Sequence, residues 1–181
     1  MADTTGVTPG RSSMVTGLFR DRESAERAYN SVSTRGYDKG DVNLLMSDDT
    51  RKKYFADDKH VETELGNKAL EGAGLGGAIG GTTGAVLAAI AAIGTTIGLP
   101  GLGLLVAGPL AAALAGAGAG GLTGGLIGGL IGAGIPEERA KVYDEGVRNG
   151  GIVMGVTPRN DEDAAYFENE WKTSKGEHVY R

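Results

Sequence analysis

Residues 72–135 carry no charged side chain and no aromatic ring over 64 consecutive positions. The stretch consists of 22 Gly, 15 Ala, 20 Leu/Ile/Val, 5 Thr and 2 Pro. Each glycine weakens a helix by about 0.8–1 kcal/mol relative to alanine, so such a segment holds a fold only when it is buried, in lipid or against protein. All the charge lies on either side: 11 basic and 13 acidic residues in 1–71, and 7 and 10 in 136–181. The chain therefore reads as a polar, foldable part interrupted by an apolar insert. Its net charge of -5 argues against general nucleic-acid binding, which needs clustered positive charge. The absence of cysteine excludes disulfides, thiolate zinc sites and Cys nucleophiles. The 33 glycines of the whole chain follow no Gly-X-Y period, which excludes collagen.

The polar part reads as two halves. Residues 1–13 (MADTTGVTPGRSS) form a loose polar tail with no apolar run, hence no signal peptide. In the first half, 14–46, MVTGLF (Met14–Phe19) is a strand, and Asp21 caps a helix with Ala25, Ala28, Tyr29 and Val32 on one face. Gly36 stops that helix and VNLLM (Val42–Met46) is a second strand. Residues 47–71 read as a charged connector. In the second half, 136–181, Pro136 opens a helix with Ala140, Tyr143 and Val147 on one face. IVMGV (Ile152–Val156) is a strand. Asn160 or Asp161 caps a helix bearing Ala164, Phe167 and Trp171, and EHVYR (Glu177–Arg181) closes as a strand.

Each half is a β-α-β unit, whose strands run parallel through a right-handed crossover. Neither half has enough residues to bury a core alone, so the two should pack together. The expected fold class is α+β: a ferredoxin-like βαββαβ head, split by the insert, with two helices on one face of a four-stranded antiparallel sheet. Both ends of the insert must then return to one sheet, which predicts a helical hairpin over 72–135.

Within the insert, small residues recur every fourth position. Gly72, Gly76, Gly80, Gly84, Ala88, Ala92 and Thr96 form one line; Gly108, Ala112, Gly116, Gly120, Gly124, Gly128 and Gly132 form another. Small residues at i, i+4 let helix backbones approach closely, so these glycines are the expected helix-packing residues of a glycine zipper. The bend is placed at IGLPGLGLLVA (Ile97–Ala107). Each arm would be long enough to cross a hydrocarbon layer of about 30 Å. The flanking cations Arg51, Lys52, Lys53, Lys68, Arg139 and Lys141 suit a cytoplasmic side. Arg51, Lys52 and Lys53, next to Tyr54 and Phe55, are the candidates for contact with anionic lipid headgroups. The expected location is a cytoplasmic head with the hairpin in the cytoplasmic membrane, or alternatively a cytoplasmic soluble assembly with the hairpins packed inside.

The order TGLFRDRESAERAYNSVSTRGYDKGDVNLLMS, then a long glycine zipper, then GIPEERAKVYDEGVRNGGIVMGV resembles the bacterial heat-induced general stress family (YflT-type, general stress protein 17M-like), in a version with a glycine-zipper insertion. The resemblance spans about residues 14–181 and is most specific over 134–156. It implies a stress-associated bacterial protein, often labelled a membrane protein, and supplies no catalytic residues.

Motifs for chemistry are weak. Gly72, Gly74 and Gly77 spell GxGxxG, but no acidic residue follows within the insert, as a dinucleotide site requires. His60 and Glu64 stand at i, i+4 without an identifiable third ligand, so no metal site is assigned. His178 reads as a sheet-edge residue, and Asp161, Glu162 and Asp163 as charge at a helix start. No base–nucleophile pair can be assembled from His60 and His178. The expectation is a non-enzymatic protein without cofactor, nucleic-acid partner or small-molecule substrate. It self-associates and attaches to membrane through its hairpin. The alternative is a soluble homo-oligomer, a ring, shell or filament. A pore ranks below both, because no charge lies in the insert to bind or gate an ion.

Overall fold

Strands alternate their side chains between two faces, and here both faces find apolar cover. In a computed structural model of the chain, which describes residues 14–55, 95–99, 102–116 and 121–181, every residue of β1 (Val15–Phe19), β2 (Val42–Ser47) and β5 (Ile152–Val156) is buried. With β3 (Thr95–Leu99), β4 (Leu102–Ala107) and β6 (Glu177–Tyr180) they form one sheet in the order β3-β4-β2-β5-β1-β6. All neighbours are antiparallel. The protein is thus a mixed α/β structure on an antiparallel sheet.

The strands of each β-α-β unit are not adjacent. β5 pairs with β1 (Val15 opposite Val156) and with β2 (Val42 opposite Val156), so it lies between them. β1 in turn lies between β5 and β6. The two halves of the chain are therefore interleaved in one sheet, and neither could bury its strands alone.

One face carries Val15, Phe19, Val42, Leu44, Met46, Leu105, Ala107, Ile152, Met154 and Val156. It is covered by α1 (Arg22–Thr34), α2 (Asp48–Phe55) and α6 (Asp161–Thr173). The apolar periodicity holds in detail. Ala25, Ala28, Tyr29 and Val32 of α1, and Ala164, Phe167 and Trp171 of α6, are all buried here. Asp21 caps α1, accepting the Ser24 N–H at 2.8 Å, and Asn160 caps α6 through the Asp163 N–H at 2.8 Å. Gly36, just beyond α1, has φ +74°, which glycine adopts without strain.

The other face carries Leu18, Leu45, Leu104, Val106 and Val153. It is covered by α3 (Pro109–Gly116), α4 (Gly121–Gly132) and α5 (Glu137–Arg148), which contribute Leu110, Leu126, Leu130, Ala140, Tyr143 and Val147. Pro136 stands one residue before α5, not as its first residue, and Ala140, Tyr143 and Val147 share the buried side as their spacing predicts.

The apolar segment departs from a helical hairpin. Residues 97–107, expected as the bend, instead belong largely to two strands: β3 pairs with β4, and β4 pairs with β2 (Leu44 opposite Ala107, Ser47 opposite Leu104). Leu104 and Val106 face one layer, Leu105 and Ala107 the other. A strand buried on both faces reads as an unbroken apolar run, and periodicity alone cannot separate it from a buried helix. Of the second arm, expected as one helix from 108 to 132, residues 109–116 and 121–132 are described as helical. Within α4, Gly125 has non-helical angles (φ 59°, ψ -152°). Among the described residues no helix is long and apolar enough to cross a membrane. The first arm, 72–94, lies outside the described residues. The connector 47–71 also begins differently, since Asp48–Phe55 is helical and Ser47 Oγ caps it by accepting the Thr50 N–H at 3.1 Å.

Candidate functional site

The α3–α4 layer begins at a forced backbone contact. Gly108 has φ +85°, and a Cβ placed there would lie 2.2 Å from the Val42 carbonyl oxygen. Only glycine lets the chain leave β4 this close to β2. Pro109 follows as the first residue of α3, and the next amide, that of Leu110, has no carbonyl within its own helix. Asn43 on β2 supplies the acceptor: its Oδ1 takes the Leu110 N–H at 2.6 Å. Asn43 is itself buried, and its amide group donates to the Gly155 carbonyl at 3.5 Å. One side chain thus caps a helix from a neighbouring strand.

The inner side of α4 buries Leu126 and Leu130, while Ile131 stays 43 % exposed. A Cβ at Gly128 would meet nothing within 4 Å, whereas one at Gly129 would lie 2.1 Å from Leu114 Cδ2 on α3. The close approach of α3 and α4 therefore falls on Gly129, one position past the expected line, and Gly128 looks outward. Of the other expected packing glycines, Gly108 belongs to the turn before α3, Gly116 ends α3, and Gly124 and Gly132 lie in α4. Gly72, Gly76, Gly80, Gly84 and Gly120 lie outside the described residues, as do His60 and Glu64.

The candidate headgroup cations sit on α2. Lys52 Nζ and Arg51 Nε both reach Asp48, at 2.6 and 3.1 Å. The hydrogen bond from Lys52, aided by that from Arg51, holds the Asp48 carboxyl below its usual range. Lys53 Nζ stands 4.9 Å from the centre of the Tyr54 ring. One carboxylate thus takes up two of the three charges.

Two polar clusters fasten other elements. Between α1 and α6, the Tyr37 hydroxyl donates to Asp163 Oδ2 at 2.6 Å and accepts the Arg159 N–H at 2.7 Å. Burial, reinforced by that bond to Asp163, raises the Tyr37 phenol above its usual range. Under α5, the buried Tyr143 hydroxyl donates to the His178 carbonyl at 2.9 Å and lies 2.8 Å from Thr16 Oγ1. Burial pushes its pKa up to about 12, with the Thr16 contact pulling the other way. Arg139 also donates to the His178 carbonyl, at 3.1 Å. His178 has φ 51°, in a stretch of β6 whose register against β1 is shifted, and the two donors from α5 hold that carbonyl in place.

Sequence spacing revealed none of these three anchors, Asn43, Tyr37 and Tyr143, because each partner is distant in the chain. The one local signal was Gly108–Pro109, which marks a helix start whose amides need an acceptor. Among the described residues no three His, Asp or Glu side chains gather as a metal site. No protein-family model, curated protein or solved structure matches the chain.

Proposed function

We propose that this is a non-enzymatic, stress-associated bacterial protein that acts by self-association through its Gly/Ala-rich segment, residues 72–135. In this reading β2-β5-β1-β6, with α1 and α6 on one face, is a ferredoxin-like head, and β3 and β4 extend it. The stress association rests on the sequence resemblance alone. The observation that carries self-association is the outward side of α4, where Ile131 is exposed and the space beyond Gly128 is open. A charge-free helix surface with a glycine at its centre lets a second backbone come close, and dispersion contacts then accumulate over the shared face.

Attachment to lipid is the second reading, favoured by Lys53, which is exposed on α2, and by the length of the charge-free segment. Sedimentation velocity of the full chain without detergent, run beside flotation with anionic vesicles, separates the two. Self-association predicts a detergent-independent particle larger than the 18.4 kDa monomer that stays at the bottom of the flotation gradient. A monomer that floats with vesicles would overturn it in favour of lipid attachment.

A further inference from the structure

We propose that Met14 is an oxidation site: a peroxide-class oxidant converts its thioether to the sulfoxide, and the change is passed through Asn43 to the first turn of α3. Neither self-association nor lipid attachment is needed for it.

Met14 immediately precedes β1, yet its side chain reaches past a whole strand to β2. Thr16 of β1 and Asn43 of β2 both stand opposite Gly155 of β5, which lies between them. Gly155 puts no side chain into that row. Asn43 Nδ2 donates to Met14 Sδ at 3.3 Å. A Cβ at Gly155 would lie 3.0 Å from the same sulfur, so a side chain there would press it away from Asn43. At the other end of the Asn43 amide, Oδ1 accepts the Leu110 N–H at 2.6 Å. One buried amide therefore has the sulfur at one end and the start of α3 at the other.

Oxidation of a thioether requires access to the sulfur and a free lone pair on it. Met14 is half-buried and packs against the apolar layer under α3, α4 and α5. Met46 and Met154 are both 0 % exposed, so Met14 is the reachable methionine among the described residues. Asn43 engages one lone pair of the sulfur and leaves the other for reaction. That pair attacks one oxygen of hydrogen peroxide: the S–O bond forms as the O–O bond breaks, and the sulfur gives up two electrons. The displaced hydroxide takes the proton of the new S–OH group and leaves as water.

Both epimers of the sulfoxide disturb Asn43. With the new oxygen turned inward, it needs room that Asn43 and the Gly155 backbone already occupy, so the amide is displaced. With the oxygen turned outward, the sulfur facing Nδ2 has become electropositive and no longer accepts the N–H. Asn43 Nδ2 then keeps only the longer contact to the Gly155 carbonyl, at 3.5 Å. In either case Oδ1 is less firmly held against Leu110. The Leu110 amide has no acceptor within its own helix, so the first turn of α3 loosens.

Hydrogen peroxide added to the folded full chain tests this, with oxygen uptake located by peptide mass spectrometry. Met14 should be oxidised about tenfold or more faster than Met46 and Met154, and the difference should vanish in urea. In the oxidised chain the Leu110 amide should exchange with solvent about tenfold faster, while the amides of 152–154 keep their rates. Met14→Leu keeps the volume without an oxidisable sulfur, so its Leu110 exchange should not respond to peroxide. Oxidation of Met14 no faster than that of Met46 and Met154 would overturn the site. Selective oxidation that leaves Leu110 exchange unchanged, that speeds 152–154 equally, or whose effect on Leu110 also appears in peroxide-treated Met14→Leu, would overturn the link to α3.

Discussion

The Tyr37 hydroxyl reaches Asp163 Oδ2 at 2.6 Å across 126 positions of sequence, and so joins the end of α1 to the first turn of α6. The bond spans the whole apolar segment, and it connects the two halves of the polar part that neither could complete alone. Tyr37→Phe removes the donor and leaves a mostly buried carboxylate with Arg35 as its remaining cation, 3.3 Å away. A loss of about 1–3 kcal/mol is expected, visible as a lower urea midpoint by Trp171 fluorescence. An unchanged midpoint would mean that the bond does not hold the halves together.

Tyr143 gives the structure an alkaline limit. Its folded pKa of about 12 lies above the ordinary 10.0, so the neutral phenol is favoured by folding. The contribution is fully present below pH 10 and is lost as pH rises from there towards 12. The distance between those two values corresponds to roughly 2–3 kcal/mol. Wild type should therefore lose stability steeply over that interval, and Tyr143→Phe should lose less, as measured by urea midpoints at a series of pH values. Parallel pH profiles would contradict the assignment.

Much of the head was legible from spacing, because α1, α5 and α6 each carry an apolar stripe on an otherwise charged helix, and that contrast fixes a period. The same logic fails inside 72–135. Leu102–Ala107 has no polar residue to mark alternate positions, so its strand character is hidden, and with it the widening of the sheet to six strands. Every fourth position being small suggested a zipper, yet the tight contact falls on Gly129 against Leu114, not on Gly128. In a sequence this rich in glycine several registers satisfy the pattern, and only the opposing side chain chooses among them. Asn43 gave no signal at all, since its partner lies 67 positions further on.

The glycines of the α3–α4 layer should differ in their tolerance. Gly108→Ala forces a Cβ onto the Val42 carbonyl at a positive φ and should cost more than about 3 kcal/mol, or abolish folding. Gly128→Ala meets open space in a helix and should be neutral or stabilising by up to about 1 kcal/mol. Thermal unfolding of the two variants checks the contrast, and equal losses would argue against this placement of the layer.

Gly128→Leu separates folding from assembly. The added side chain points away from the sheet, so near-ultraviolet circular dichroism should remain native. A second backbone could no longer approach α4 closely, so the sedimenting particle should shrink. A native, undiminished particle would move the contact elsewhere on the chain.

The most direct test places a single thiol on the surface proposed for self-contact. The chain has no cysteine, so Ile131→Cys on α4 and Glu23→Cys on α1 each introduce a unique, exposed thiol. Under identical mild oxidation of the full chain, with products read on a non-reducing gel, Ile131→Cys should form covalent dimers far faster than Glu23→Cys. Equal rates for the two variants, or an Ile131→Cys protein that stays monomeric, would contradict self-association through this layer.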